Sequence, residues 1–227
     1  MGSSTETANL MDGVYQNQRH IYDITRKFYL LGRDLLIERL DVKEGGRVLE
    51  LGCGTGRNLI SAAKRYPKAC FSGVDISEEM LSTARRNIDR AGLADRVSVV
   101  RHDASDPLLG EILGGAPFDR VFYSYTLSMM PIWKEALTCG MAQLSDEGRL
   151  SVIDFGQQEG LPGIFKHALF AWLRSFHVTP RNELFPTLSE LAASRSWNHT
   201  FVPLYRGYAH YAELAKRSAD LYSPATK

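Results

Sequence analysis

The chain has 227 residues, with 27 Lys and Arg against 26 Asp and Glu and a formal net charge of +1. That length suits one large α/β domain or one domain with a helical extension, and the near-neutral balance excludes a global electrostatic pull toward nucleic acid. Cys53, Cys70 and Cys139 are widely spaced and form neither a metal-ligand pattern nor an obvious pair, which points to a reduced, cytoplasmic setting. The opening residues Ser3, Ser4, Thr5 and Glu6 do not read as a secretory signal. No run reaches the ~18 apolar residues of a membrane span, although peripheral contact with the inner membrane face stays compatible with the sequence.

In chain order, residues 1–12 are expected to be a disordered tail and 13–45 a helical lid ahead of a main domain over 46–227. Within the lid, Tyr15, Tyr22 and Tyr29 recur at seven-residue spacing, each followed four residues later by Arg19, Arg26 and Arg33. Val14, Ile21, Phe28 and Leu35 keep the same period. On a helix these residues form adjacent aromatic, cationic and apolar stripes, suited either to docking on the core or to facing a substrate. Asp23 and Thr25 could cap a second helix and divide the segment.

From Arg47 onward, strand-like runs near 47–51, 70–74, 97–101, 118–124 and 148–154 alternate with helices near 57–66, 78–91 and 132–144. That alternation predicts a doubly wound, mostly parallel sheet. A helix over 184–195 follows, then last strands at 200–204 and 208–214 around Gly207. Pro203 confines its strand to an edge or a bulge.

The most specific stretch is VLELGCGTGRNL, residues 48–59. Gly52, Gly54 and Gly56 sit between a strand and a helix start, where an open α/β sheet binds an adenosine-containing ligand. A dinucleotide fingerprint beginning at Gly52 needs glycine or alanine at position 57, which is Arg57. Glu50 at the strand end would repel a pyrophosphate and suit an ammonium. The pattern therefore resembles the class I S-adenosylmethionine (SAM) methyltransferases, with their Rossmann-like fold.

That resemblance assigns roles along the sheet's carboxyl edge. Glu50, Gly52, Cys53 and Gly54 form the cofactor loop, with Cys53 a small side chain tolerated there. Asp75, with Ile76 beside it, stands where a carboxylate accepts the ribose hydroxyls, while Ser77 is the better helix cap. Asp103 and Ala104 stand at the adenine, with a turn aspartate as the competing role for Asp103. Ser124, Tyr125 and Ser128 line the cleft near the sulfonium, Met129 and Met130 read as core filler, and Asp154, Gln157 and Gln158 reach the same rim.

The flanks narrow the resemblance. YQNQRHIYDITRKFYLLGRDLLI (15–37), DFGQQEGLP (154–162), FHVTPR (176–181) and PLYRGYA (203–209) are together similar to the bacterial betaine-lipid methyltransferases. These N-methylate diacylglyceryl-homoserine three times with SAM, releasing S-adenosylhomocysteine. The resemblance implies a lipid substrate at a membrane surface, no nucleic acid and no metal. Tyr22, Tyr125, His177 and Tyr205 become the candidates around the reacting amine, and Arg26, Gln157, Arg181 and Arg206 the candidates for holding the head group. Phe165, Leu169, Trp172, Leu173 and Phe176 share a helical face, with Lys166, His167 and Arg174 nearby, and suit either a membrane interface or the sheet. A phosphatidylethanolamine N-methyltransferase and a non-catalytic SAM- or lipid-binding protein are the alternatives.

Overall fold

The computed structural model describes residues 30–216. The tail at 1–12 and most of the proposed lid, including Tyr22 and Arg26, lie outside the described residues.

The described elements run α1 (Arg33–Arg39), β1 (Arg47–Leu51), α2 (Arg57–Arg65), β2 (Cys70–Asp75), α3 (Glu78–Arg90), β3 (Val97–Arg101) and α4 (Leu109–Ile112). They continue with β4 (Phe118–Ser124), α5 (Trp133–Ala142), β5 (Leu144–Phe155), α6 (Gly163–Arg174), α7 (Leu184–Ser194), β6 (Asn198–Leu204) and β7 (Ala209–Ala215). The strands form one seven-stranded sheet in the order β3-β2-β1-β4-β5-β7-β6. Pairings from β3 across to β5 are parallel, and β7 runs antiparallel to both β5 and β6. The chain reverses its winding between β1 and β4, which opens a crevice at the carboxyl ends of those strands.

Central strands are apolar on both faces because helices cover both. On one side Leu36, Ile37, Leu59, Ala62, Leu81 and Leu173 bring α1, α2, α3 and α6 into one cluster. On the other, Leu109, Trp133, Leu137, Leu184 and Leu188 bring in α4, α5 and α7. Residues 30–40 thus contribute Leu30, Leu36, Ile37 and Leu40 to the same core as the sheet. Every residue of β7 is buried, since it is paired on both edges and covered on both faces, and β6 with Pro203 forms the sheet's edge.

Candidate active site

The crevice at the switch point is a pocket lined on one side by Glu50, Gly52, Cys53 and Gly54, at its centre by Asp75, Ile76 and Ser124, and at its far end by Asp103 and Ala104. All nine residues read from the sequence as cofactor contacts therefore share one cavity, with Tyr125 in its wall.

The loop geometry explains the glycines. Gly52 has φ +79°, and a Cβ there would overlap the Thr126 side chain. Both its N–H and that of Cys53 donate to Val74 O, at 2.8 and 3.0 Å, tying β1 to β2 where the chain turns. Gly56, also left-handed, starts α2. A Gly52→Ala chain is expected to lose at least about tenfold in SAM affinity and some thermal stability, since left-handed backbone alone costs a Cβ-bearing residue ~1–2 kcal/mol; titration calorimetry and a melting curve measure both.

Asp75 Oδ2 accepts from Gly54 N at 2.8 Å and Oδ1 from Ser77 N at 3.0 Å, so the loop itself fixes this carboxylate at the pocket edge. Ser77 Oγ caps α3 by accepting from Met80 N, the role its sequence position suggested. Asp103 Oδ1 closes a tight turn, accepting from Ser105 N at 2.9 Å and Ser105 Oγ at 2.7 Å, and the residue also lines the cavity. The turn and the pocket positions are compatible.

Glu50 is 1% exposed. Its Oε1 accepts from Asn58 Nδ2 at 2.7 Å, while Oε2 is buried with no hydrogen-bond partner. Burial pushes its pKa up to about 8; the Asn58 bond opposes this, the charge of Asp75 adds to it and Arg33 opposes it. An acceptor oxygen left orphaned in a pocket calls for a donor from the ligand. The ammonium of SAM is such a donor, and the turn-held Asp75 fits its ribose. Cys53 is buried, and burial with the neighbouring carboxylates raises its thiol well above the usual range, so it stays protonated and serves as packing.

The acceptor side is shaped by the segment after β4. Tyr125 has φ +56°, is 3% exposed, and donates its hydroxyl to Leu31 O at 2.5 Å. Burial, then the charge of Asp154, keeps that phenol well above its normal range, so Tyr125 supplies a ring rather than a base. Phe155 meets it edge-on with centroids 4.7 Å apart, and Tyr208 meets Phe155 at 6.1 Å.

Arg181 does not line the pocket. Its Nε donates to Leu127 O at 3.1 Å and its Nη2 to Met130 O at 2.6 Å, clamping the pocket-forming loop from outside. Asp154 holds the same loop from within, its Oδ2 accepting from Ser128 N at 3.0 Å. The sequence offered Arg181 to the head group, whereas the fold commits two of its nitrogens to carbonyls because the 125–132 turn has no sheet partner for them. Arg181→Met keeps the stem and removes both bonds; it is expected to lower stability by about 1–3 kcal/mol and weaken SAM binding several-fold, read by melting and titration.

Four further acceptor candidates sit outside the cavity lining. His177 is exposed in the turn that ends α6, where its N–H donates to Arg174 O. Arg206 is exposed in the β6–β7 turn, and its carbonyl accepts from Gly160 N at 3.0 Å. Gln157 is half-buried, with an unpartnered Nε2. Tyr205 is 51% exposed, but its ring lies beside Gly32, adjoining the pocket residues Leu30 and Arg33.

Arg33, Asn58, Thr126, Met129 and Met130 line the pocket without having been assigned to it. Arg33 was visible only as one member of the arginine stripe. Asn58 had a detectable signal, because a buried Glu50 needs a donor and the first turn of α2 is the nearest source. Among the described residues no group of three or more His, Cys, Asp or Glu is placed to hold a metal ion.

Residues 42–199 match the family model described as "Methyltransferase domain". The ubiquinone/menaquinone biosynthesis C-methyltransferase UbiE of Cereibacter sphaeroides is 28% identical over 157 residues, 67% of this chain and 61% of that protein. The release factor glutamine methyltransferase of Chlorobaculum tepidum is 36% identical over 80 residues, 35% of this chain and 27% of that protein. The chain thus spans less than two thirds of the length of these curated relatives. Among solved structures, the plantazolicin methyltransferase BpumL in complex with SAH superposes with a TM-score of 0.70 at 16% identity, covering 94% of this chain and 96% of that one. The YcgJ protein of Bacillus subtilis does so with a TM-score of 0.62 at 16% identity, covering 82% and 98%. These structures superpose over most of the chain, and the family match covers most of it too: it belongs to the methyltransferase-domain family and has the class I, Rossmann-like methyltransferase fold.

Proposed function

We propose that this chain transfers methyl groups from SAM to the amine of a lipid-linked amino acid, diacylglyceryl-homoserine, giving the trimethylated betaine lipid and S-adenosylhomocysteine. One observation carries the reading: a single cavity joins a SAM-fitting end, Glu50 to Ala104, to a wall made of Tyr125 backed by Phe155 and Tyr208, with Arg33 beside it.

SAM brings an already activated methyl electrophile, so the protein's task is alignment and exclusion of water. The acceptor nitrogen must arrive with its lone pair. Near the aromatic wall, Tyr125 holds its own proton, and Glu50 lies toward the cofactor loop with its pKa near 8. The fixed carboxylate nearest that wall, Asp154, is already bonded to Ser128 N and Phe155 N and has its pKa raised by burial, so it stabilises the ammonium form only weakly and leaves entry of the neutral amine favoured. Each of the first two transfers leaves a methylammonium that loses a proton to solvent before the next, the third leaves a permanent quaternary charge, and aromatic faces stabilise a quaternary ammonium by roughly 0.5–2 kcal/mol each. The carboxylate of a homoserine head group matches the guanidinium of Arg33, which borders both Glu50 and Tyr125. Such a substrate puts the enzyme to work at the inner membrane face.

The test is product analysis of the full chain incubated with SAM and diacylglyceryl-homoserine. Mass spectrometry is expected to show one, two and three added methyl groups on the head-group nitrogen. Methylation of phosphatidylethanolamine but not of the homoserine lipid moves the assignment to that phospholipid, and SAM binding with no methylated product over both lipids moves it to a non-catalytic protein.

A further inference from the structure

Helix α6 is built unlike the others around the sheet. Of its twelve residues, GIFKHALFAWLR, only Leu173 is buried. Leu169, Phe170 and, just beyond the helix, Phe176 pack against the core cluster on the α1–α3 side of the sheet. At about 100° per residue, Ile164, Ala168 and Ala171 lie on the side of the helix opposite Leu173, and Phe165 and Trp172 lie together along one flank at about 80–100° from it. Ile164 is 85% exposed, and Phe165 and Trp172 are 43% and 37% exposed. The apolar set read from the sequence as one face is therefore divided, with one part on the core and another turned outward.

Charge identifies what meets the outer face. Between Gly160 and Asn182 the chain carries Lys166, Arg174 and Arg181 and no Asp or Glu, although the whole protein is almost balanced. His167 and Arg174 lie along one flank of the outward apolar strip. Exposed Ile, Phe and Trp with Arg174 on one flank, in a segment that carries no acid, suit an interface with anionic lipid, where apolar groups enter the acyl boundary and tryptophan sits at head-group depth. No helix among the described residues is long and apolar enough to cross a membrane, so this contact is peripheral.

The helix also leads straight to the pocket. Thr179 N donates to Ser128 O at 2.8 Å and Arg181 holds Leu127 O and Met130 O, while Phe176 and Met129 pack on Met80. A bilayer seated on α6 therefore lies beside the loop that closes the active cavity.

We infer that the outward face of α6, centred on Ile164, Phe165 and Trp172, docks the protein on an anionic lipid surface. This rests on the lipid-acceptor reading for its purpose but is tested apart from it, because phosphatidylcholine and phosphatidylglycerol offer no amine to methylate. The SAM-bound full chain is floated with phosphatidylcholine vesicles, with and without phosphatidylglycerol. Flotation should require the anionic lipid, weaken with added salt, and fall by at least about tenfold in Ile164→Glu/Trp172→Glu, given the apolar area those side chains would bury. The double variant should keep the parent's melting temperature and SAM affinity.

Absence of flotation overturns the inference, as does equal flotation of the double variant. So do two findings in lipid-free solution: a dimer in sedimentation that the double variant abolishes, which makes a second copy the occupant, or protection of α6 from hydrogen exchange that disappears when residues 1–29 are deleted, which makes the chain's own start the occupant. A parent chain that methylates the homoserine lipid yet does not float counts against this inference alone. Flotation without methylation counts against the proposed acceptor alone.

Discussion

Replacing Glu50 by Gln is expected to stabilise the ligand-free chain and at the same time weaken SAM binding by about a hundredfold at neutral pH, the scale of a lost charge-assisted hydrogen bond. The two effects have one origin. Glu50 is held almost wholly out of water, and burial lifts its pKa from 4.5 to about 8. Between those values the unfolded chain ionises this carboxyl while the folded chain keeps it protonated, so the unfolded state binds fewer protons and stability falls as pH rises through the window. The cost is absent below the unfolded value, is on the order of 3 kcal/mol at pH 7, and levels off above about pH 8. Glutamine has no proton to lose, so the variant's melting temperature should rise and its dependence on pH across that window should flatten.

Binding reverses the preference. A SAM ammonium beside Oε2 favours the carboxylate, so association expels the Glu50 proton and affinity should strengthen from about pH 6 to pH 8, by up to about tenfold per unit. Titration calorimetry in buffers of different ionisation enthalpy reads that proton directly. The parent should release it near neutral pH and the glutamine variant should not. Equal proton release by both proteins would place the ammonium elsewhere.

Glu213→Leu should be the most destabilising single change outside the pocket, lowering unfolding free energy by about 3–5 kcal/mol, because it leaves the buried Arg149 with a single, solvent-exposed carboxylate partner, Asp41. Glu213 is fully buried in β7; its Oε1 accepts from Arg149 Nη1 at 3.4 Å and its Oε2 from the Tyr211 hydroxyl at 2.8 Å. Arg149 Nη2 reaches Asp41 Oδ2 at 3.0 Å, and Arg39 stacks over the Tyr211 ring at 4.7 Å. Arg120 donates to the carbonyls of Leu40, Asp41 and Asp119. This network fastens the end of α1 to the interior strands β4, β5 and β7, outside the cofactor pocket. Urea unfolding measures the loss, and the double change Arg149→Met with Glu213→Leu should recover most of it, since the pair is then replaced by apolar volume. A loss under about 1 kcal/mol would mean that water reaches Arg149.

Local signals carried much of this architecture, and tertiary bonds carried the rest. The strands at 47–51, 97–101 and 118–124 coincide with β1, β3 and β4, since apolar runs between glycine and polar breaks leave few alternatives. β5 begins at Leu144 rather than 148 because its pairing with β4 shifts register between Phe118 and Arg120, a bulge with no periodic signature. The glycine loop and Asp75 could be read directly because close backbone approach restricts which residues fit. Arg181 could not, since its partners are carbonyls more than 50 residues away that only the folded loop brings near. Met129 and Met130 looked like filler for the opposite reason: an apolar wall of a cavity and an apolar core have the same composition. Arg33 sat in a periodic stripe whose other arginines precede the described residues, so nothing local distinguished it from a solvated one.

In the proposed reaction this cavity delivers SAM methyl groups to a homoserine lipid. The most direct measurement is a competition in which the full chain and methyl-labelled SAM meet diacylglyceryl-homoserine, phosphatidylethanolamine and a quinone precursor in the same vesicles. Label should accumulate on the homoserine-lipid nitrogen and pass through the mono-, di- and trimethyl forms. Label on the quinone carbon, on phosphatidylethanolamine, or on none of the three would contradict it.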